Sequence, residues 1–388
     1  MSRSLRNRAA IAGIGQTEFS KASGRSELQL ACEAVKAALD DAGLSPRDVD
    51  GLVTFTMDSS EEAEVARNLG IPKLTMFSRV PYGGGGACAV VMQAAMAVAT
   101  GAADVVVCYR AFNERSGMRF GGPGMASVTL PPFLDMYGPY GLLSPASWVA
   151  LNARRYMHEY GVTNEDFGRI AVVDRKHAAT NPNAWFYERP ITLEDHQRSR
   201  WIVEPVLRLL DCCQESDGGV ALVVTTPERA RDLRQRPAVI TAAAQGAAND
   251  GELMTSYYRE EITGLPEMGI VAKKLWADSG LTPNDIQTAF LYDHFTPFVL
   301  VQLEELGFCA RGEAKHFATI ENLSIGGRLP INTSGGLLGE GYIHGMNGIT
   351  EAVRQIRGTS CNQVANVEHV LVTAGTGCPT SGLVLGRA

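Results

Sequence analysis

Apolar residues recur at Leu28, Ala31, Val35, Leu39 and Ala42, three or four positions apart, as one face of an α-helix requires. Ser26 can cap the start of this stretch and Gly43 can close it in the left-handed region, so a helix over 26–42 is predicted. Gly43-Leu44-Ser45-Pro46-Arg47-Asp48-Val49 then turns the chain into a β-prone run at 51–56. The same unit returns far downstream: a helical stretch at 267–278 runs into Gly280-Leu281-Thr282-Pro283-Asn284-Asp285-Ile286 and a strand at 289–292. Gly, Leu, Pro and Asp recur in register, and Asp278 matches Asp41. The chain therefore reads as internally duplicated.

A second pair of pieces supports the duplication. Residues 87–100 are apolar on nearly every side and precede a strand at 105–109, while a helix at 346–356 precedes a strand at 370–373. A helix apolar all round belongs in an interior, and continuous apolar strands belong to a sheet covered on both faces. The expected fold is α/β, two halves over 1–230 and 235–388 that pack through shared central helices. Between their patterns, 111–216 is rich in Gly, Pro, Tyr and Trp, with helices such as 145–160. This is the length of a functional lid or substrate-binding insertion.

Composition narrows the function classes. With 388 residues, 45% hydrophobic and 20% charged, the chain is neither disordered nor fibrous. Its 35 basic and 42 acidic residues give a net charge of -7, without the basic tract that nucleic-acid binding needs. The basic start leads into a polar run at 16–26 rather than an apolar signal core, so a cytoplasmic location is expected. The most apolar stretch, 87–101, contains Gln93 and falls short of the about 20 residues of a membrane span. Eight cysteines form no CxxC pair and seven histidines no HExxH, so no metal site is expected in this chain.

Three segments sit where open α/β sheets bind ligands, beyond the carboxyl ends of strands. Tyr82-Gly83-Gly84-Gly85-Gly86 opens the buried helix, where bare backbone and the helix dipole favour a negative oxygen. Tyr292-Asp293-His294-Phe295 ends a strand, with Thr296 as cap and Pro297 as first helical residue; Tyr292 matches Phe55 of the first copy. The third, residues 332–348, holds Tyr342 and His344 on a loop with four glycines before the phenol and two after it.

At these segments the sequence resembles the thiolase superfamily over essentially its whole length. Residues 332–348 follow that family's last signature glycine by glycine, and Tyr292 to Phe295 occupies its Asn/His-Glu-Ala-Phe segment. The resemblance implies a five-layer αβαβα arrangement. Three departures follow from it: Tyr342 stands for the family's His, Tyr292 for its Asn or His, and Gly84 for its nucleophilic Cys. Thr373 is the likeness of its second Cys, with Cys88 and Cys378 displaced.

This pattern is most similar to the lipid-transfer-protein branch, and within it to the thiolase-like aldolases that remove the last side-chain piece in bacterial steroid catabolism. Matching runs are 109–120, 175–179, 199–201, 292–298 and 341–345. The resemblance implies retro-aldol cleavage of 17-hydroxy-3-oxo-4-pregnene-20-carboxyl-CoA to an androstenedione-type 17-ketosteroid and propionyl-CoA. It also implies a homodimer flanked by a small zinc-ribbon and OB-fold partner derived from the preceding hydratase, in a heterotetramer. Any zinc would belong to that partner, and CoA enters only as part of the substrate.

Such a cleavage needs a base for the hydroxyl, donors for the thioester enolate, and an acid that returns a proton to carbon. Tyr292 and Tyr342 are expected to divide the proton transfers, with backbone at Gly84 and a loop amide near Gly377 facing the enolate oxygen. A phenol titrates near pH 10, so a tyrosine base needs a neighbouring charge or relay. Asp293, His294 and His344 are nearest in sequence. Strand alternation turns Asp293 to the far face, in a structural role, and His294 to the side of Tyr292. Arg175, Lys176, Arg189, Arg198 and Arg200 are candidates for the CoA phosphates. The competing readings are an acyl-CoA C-acyltransferase with a displaced cysteine and a non-catalytic acyl-CoA or sterol carrier.

Overall fold

A computed structural model describes residues 4–81, 83–120, 136–377 and 379–388. Tyr82 and Cys378 lie outside the described residues, as does 121–135 of the insertion.

The first predicted helix forms as α1 (Glu27–Ala42): the Ser26 side chain accepts the Gln29 N–H, and Gly43 closes the helix at φ 75°. Its buried stripe is Leu30, Ala31, Ala34, Val35, Ala38, Leu39 and Ala42; Leu28 sits at the margin, only partly covered. The further helices that position the site are α2 (Ala87–Thr100), α3 (Pro145–Tyr160), α4 (Asn164–Ala179), α5 (Pro266–Ser279), α6 (Thr296–Glu305) and α7 (Met346–Arg357).

Strands β1 (Ala10–Gln16), β2 (Gly51–Phe55), β3 (Met76–Val80), β4 (Val106–Asn113), β7 (Asp217–Thr225), β8 (Ala238–Gly246), β9 (Thr288–Phe290), β10 (His369–Ala374) and β11 (Thr380–Arg387) form one mixed sheet, while β5 (Trp201–Val203) and β6 (Leu207–Arg208) pair separately. The order is β3-β2-β4-β7-β1-β8-β11-β10-β9. Both halves repeat one plan. β2 runs parallel to β4 as β9 does to β10, and β4 pairs antiparallel with β7 as β10 does with β11. The halves join where β1 meets β8 at Ala10↔Val239 and Ile11↔Ala238. Even the turn is copied: Asp48 caps Ser45 as Asp285 caps Thr282.

The layers follow from which faces are apolar. α1 covers the first half of the sheet and α5 the second. α2 and α7 touch strands of both halves and each other, giving the central layer of the expected αβαβα arrangement. Each fully buried Val, Leu or Ile of that layer contributes about 1.5–3 kcal/mol. α7 departs from the apolar pattern of α2, for it buries Asn347, Thr350, Glu351 and Gln355. Glu351 is held by the Thr333 and Ser360 hydroxyls at 2.6 Å each, which meets the requirement that a buried polar group be bonded.

Boundaries move. β9 ends at Phe290, short of the predicted 292, so Tyr292 to Phe295 follow the strand instead of ending it. β4 continues to Asn113, past the predicted end at 109, because the run stays paired with β7 and is buried through Phe112. α6 begins at Thr296 with Phe295 as its cap residue; the Thr296 hydroxyl instead donates to buried Asp211 at 2.7 Å.

Candidate active site

The carboxyl ends of the parallel strands converge on one cavity of about 660 Å³, a size suited to a compact organic ligand. Met57 follows β2, Glu114 follows β4, Tyr292 follows β9, and Gly375 and Thr376 follow β10. Gly83, Gly84 and Gly85 close the wall ahead of α2, and Tyr342 and His344 enter from the loop ahead of α7. Met118, Phe120, Pro145 and Trp148 of the insertion supply apolar cover, so the long excursion does form part of the cavity.

The two predicted phenols meet, with Tyr292 Oη and Tyr342 Oη sharing a hydrogen bond of 2.9 Å. Their backbones are fixed from behind. Thr373 Oγ1 accepts the Tyr292 N–H at 3.0 Å, the Gln302 amide donates to the Tyr292 carbonyl at 2.9 Å, and Ser216 Oγ accepts the Tyr342 N–H at 3.1 Å. Glycine makes the room. A Cβ on Gly84 would stand 1.6 Å from Tyr292 Oη, and one on Gly345 would stand 2.9 Å from the edge of the same ring. The phenol thus fills the space into which any side chain at position 84 would project. Burial pushes both phenols well above their ordinary pKa, so both are protonated donors at rest.

His294 lies on the side of Tyr292, ring centroids 4.8 Å apart, and stacks on Phe298. Its Nε2 meets Thr376 Oγ1 at 3.2 Å, and burial holds the ring neutral, its pKa pushed down to about 3. His344 packs edge-on to Tyr342 at 5.2 Å. Arg110 Nε donates to His344 Nδ1 at 3.1 Å, and burial followed by the Arg110 charge drives the ring's pKa far down. A neutral ring that accepts at Nδ1 carries its proton on Nε2, the edge that faces Gly83. His344 is therefore a donor toward the cavity. Its φ of 50° is in the left-handed region, a backbone strain that clusters at functional positions.

Asp293 does not line the cavity, and because β9 ends at Phe290 the loop after it, not strand alternation, sets its direction. Its carboxylate accepts the Leu337 and Leu338 N–H groups at 2.9 and 3.0 Å and holds the glycine loop in place. Other candidates fall outside the cavity. Gly377 does not reach the cavity; it lines an adjoining crevice, its Cβ position against Glu252 and Met254, and Gly375 and Thr376 face the site instead. Cys88 is fully buried outside the cavity, its thiol against the Val372 carbonyl at 3.7 Å and its pKa driven up by burial, so it is no nucleophile. Among the basic candidates only Arg200 lines the cavity. Arg175 stacks on Phe186 at 3.6 Å and donates to the Arg189 carbonyl, Lys176 reaches Ser324, and Arg198 pairs with Glu194.

Sequence reasoning missed four groups here. Lys21, Glu114 and the neighbours Cys212 and Cys213 all line the cavity. Glu114 carries a readable signal, standing just past the end of β4, whereas Lys21 arrives by a loop that no local pattern marks. Burial drives both thiols up, with nearby carboxylates adding to it, and Arg200 offsets this only in part at Cys212, so neither is a thiolate of the reactive kind. Among the described residues no three His, Cys, Asp or Glu side chains converge as a metal site would need.

Behind His344, Arg110 pairs with Asp58 at 3.1 Å, both side chains fully buried. Removing one partner strands the other's charge. Asp58→Asn is expected to cost about 3–5 kcal/mol, read as a lower midpoint in denaturant at an unchanged slope. A loss under about 1 kcal/mol would mean that the pair is not shielded from water as the geometry requires.

Comparison with known proteins agrees with this arrangement. The chain matches the family Thiolase, N-terminal domain, over residues 9–227 and Thiolase C-terminal domain-like over 246–387. A steroid side-chain-cleaving aldolase of Thermomonospora curvata is 71% identical over 383 residues, covering 97% of both chains. A 17-hydroxy-3-oxo-4-pregnene-20-carboxyl-CoA lyase of Mycobacterium tuberculosis is 67% identical over 389 residues, covering 98% of this chain and 100% of that one. The solved structure named Ltp2-ChsH2(DUF35) aldolase superposes with a TM-score of 0.94 at 70% identity, over 99% of this chain and 98% of the other.

Proposed function

The chain belongs to the thiolase family, and from that premise we propose that it is a carbon–carbon lyase, a retro-aldolase that cleaves the side chain of a steroid acyl-CoA. Its substrate is 17-hydroxy-3-oxo-4-pregnene-20-carboxyl-CoA, and its products are a 17-ketosteroid and propionyl-CoA. One observation carries the reading: Tyr292 Oη occupies the space above Gly84 where a thiolase nucleophile would stand. Acyl transfer through that position is closed, while a retro-aldol step needs no bond to the protein.

The chemistry follows from the donors. The C17 hydroxyl loses its proton as the C17–C20 bond breaks, its electron pair becomes the thioester enolate, and C20 then gains a proton. The neutral His344 Nε2–H and the backbone at Gly84 face the side on which enolate charge grows, and fixed donors in a dry cavity stabilise such charge strongly. The bonded phenols pass protons between the hydroxyl and carbon ends of the substrate. Phe120, Trp148 and their neighbours exclude water and pack on the steroid rings.

By its likeness to the solved aldolase complex, the protein works with a partner of the DUF35 type. We place the CoA arm between that partner and Arg200, around a homodimer core that makes a heterotetramer. No helix among the described residues is long and apolar enough to cross a membrane, and the reaction as written uses no metal of this chain.

Incubating the chain and its partner with the steroid thioester is expected to release propionyl-CoA and the 17-ketosteroid in equal amounts, with an intact protein mass unchanged during turnover. An added acyl mass would instead assign acyl transfer through a cysteine.

A further inference from the structure

The site has donors in abundance and lacks an evident proton acceptor. Both phenols are protonated, the His344 Nδ1 is occupied by Arg110, His294 resists a charge, and both Asp293 oxygens are taken by backbone N–H groups. One group remains. Glu114 is 2% exposed and lines the cavity, and its Oε2 has no hydrogen-bond partner among the described residues. Its carboxyl accepts the Ser216 backbone N–H, and the Ser216 hydroxyl accepts the Tyr342 N–H. A single residue thus ties the carboxyl to the loop that carries the phenol.

We propose that Glu114 is the proton acceptor of the cleavage, taking the C17 hydroxyl hydrogen by way of Tyr342 and returning it for protonation of C20. The proposal rests on the retro-aldol reading above. As C17–O becomes a carbonyl, Tyr342 receives the hydroxyl proton and releases its own to the Glu114 carboxylate. The C17–C20 pair becomes the enolate. The proton then travels back through the paired phenols to C20, with Tyr292 as the final donor, and Glu114 is again a carboxylate. No proton is gained or lost overall, and no co-reactant is needed.

The charges around Glu114 suit this work. Lys21 and Arg110 favour its ionised form, while burial and Glu215 oppose it; Tyr292, Tyr342 and Cys213 share the same space. The carboxyl is held well above the ordinary carboxylate range, which makes its anion a stronger base. Lys21 also lines the cavity, its pKa brought down to about 8 by burial, so its positive charge is lost in mildly alkaline solution.

The test is steady-state cleavage of the steroid thioester by the chain with its DUF35-type partner, across pH. Glu114→Gln is expected to lower kcat at least about 100-fold with little change in KM, and to remove the limb on which activity rises with pH. Lys21→Met is expected to move that limb to higher pH, since the carboxylate loses one of the two cations that favour its ionised form. Glu114→Ala is expected to recover at least about tenfold in added formate, which restores the missing carboxylate. A Glu114→Gln enzyme within about threefold of wild type with the limb in place would overturn the assignment. So would a loss that formate does not relieve and that leaves the limb in place, because that marks a structural role. Failure of the wild-type enzyme to cleave the substrate would remove the retro-aldol reading and this proposal together, whereas failure of the Glu114 arms alone leaves that reading standing.

Discussion

Tyr292→Phe and Tyr342→Phe should each reduce kcat by about 10²- to 10⁴-fold, the usual contribution of a positioned acid or base. Each substitution removes one oxygen and leaves the ring, so packing is nearly preserved. The lost hydroxyl breaks the 2.9 Å contact between the phenols and with it the path between the two ends of the substrate. Because the groups act as a chain, the double variant should be little slower than the worse single one. Stability should change by under about 1.5 kcal/mol, since the remaining hydroxyl stays next to the cavity. Rapid-quench measurement of bond cleavage decides the matter. Near-normal cleavage in either variant rejects its role.

Gly84→Ala is the second large effect. The new Cβ would meet Tyr292 Oη at 1.6 Å and Cζ at 2.5 Å, both far inside contact distance. Gly345 against one edge and His294 at 4.8 Å leave the ring only the cavity side to move to, out of its working position. Overpacking of this kind costs about 1–3 kcal/mol of stability. A displacement of about 1 Å at the reacting group is enough to lower turnover about 100-fold. Combining Gly84→Ala with Tyr292→Phe should cost less stability than the two single changes added, because the phenylalanine lacks the oxygen that clashes. Turnover and thermal midpoint together test this, and a Gly84→Ala enzyme with wild-type kcat would refute the packing argument.

The scaffold was largely readable from the chain because duplication writes the same local rules twice. Ser26 and Gly43 delimit α1 as read, and α2 occupies the predicted span. Local patterns falter where tertiary partners decide: β4 runs on because β7 covers it, and α7 buries polar residues because Thr333 and Ser360 come to meet them. At the site, Tyr292, Tyr342 and His344 announced themselves as aromatic or imidazole groups on a strand end or among glycines. Glu114 stands just past a strand end that the sequence reading placed too early, at 109, and Lys21 arrives by a loop that no local pattern marks. Whether a phenol or a histidine is charged was equally hidden, being a matter of burial and of Arg110 behind the ring.

The shared volume above Gly84 also bears on how such a site can change over generations. A cysteine at 84 and a tyrosine at 292 exclude one another, so no one-codon step exchanges one chemistry for the other while both remain competent. A chain with a side chain at 84 would first have to surrender the aromatic ring at 292. Acyl transfer through position 84 is thereby barred by geometry, and changes at neighbouring positions do not reopen it while the ring stays.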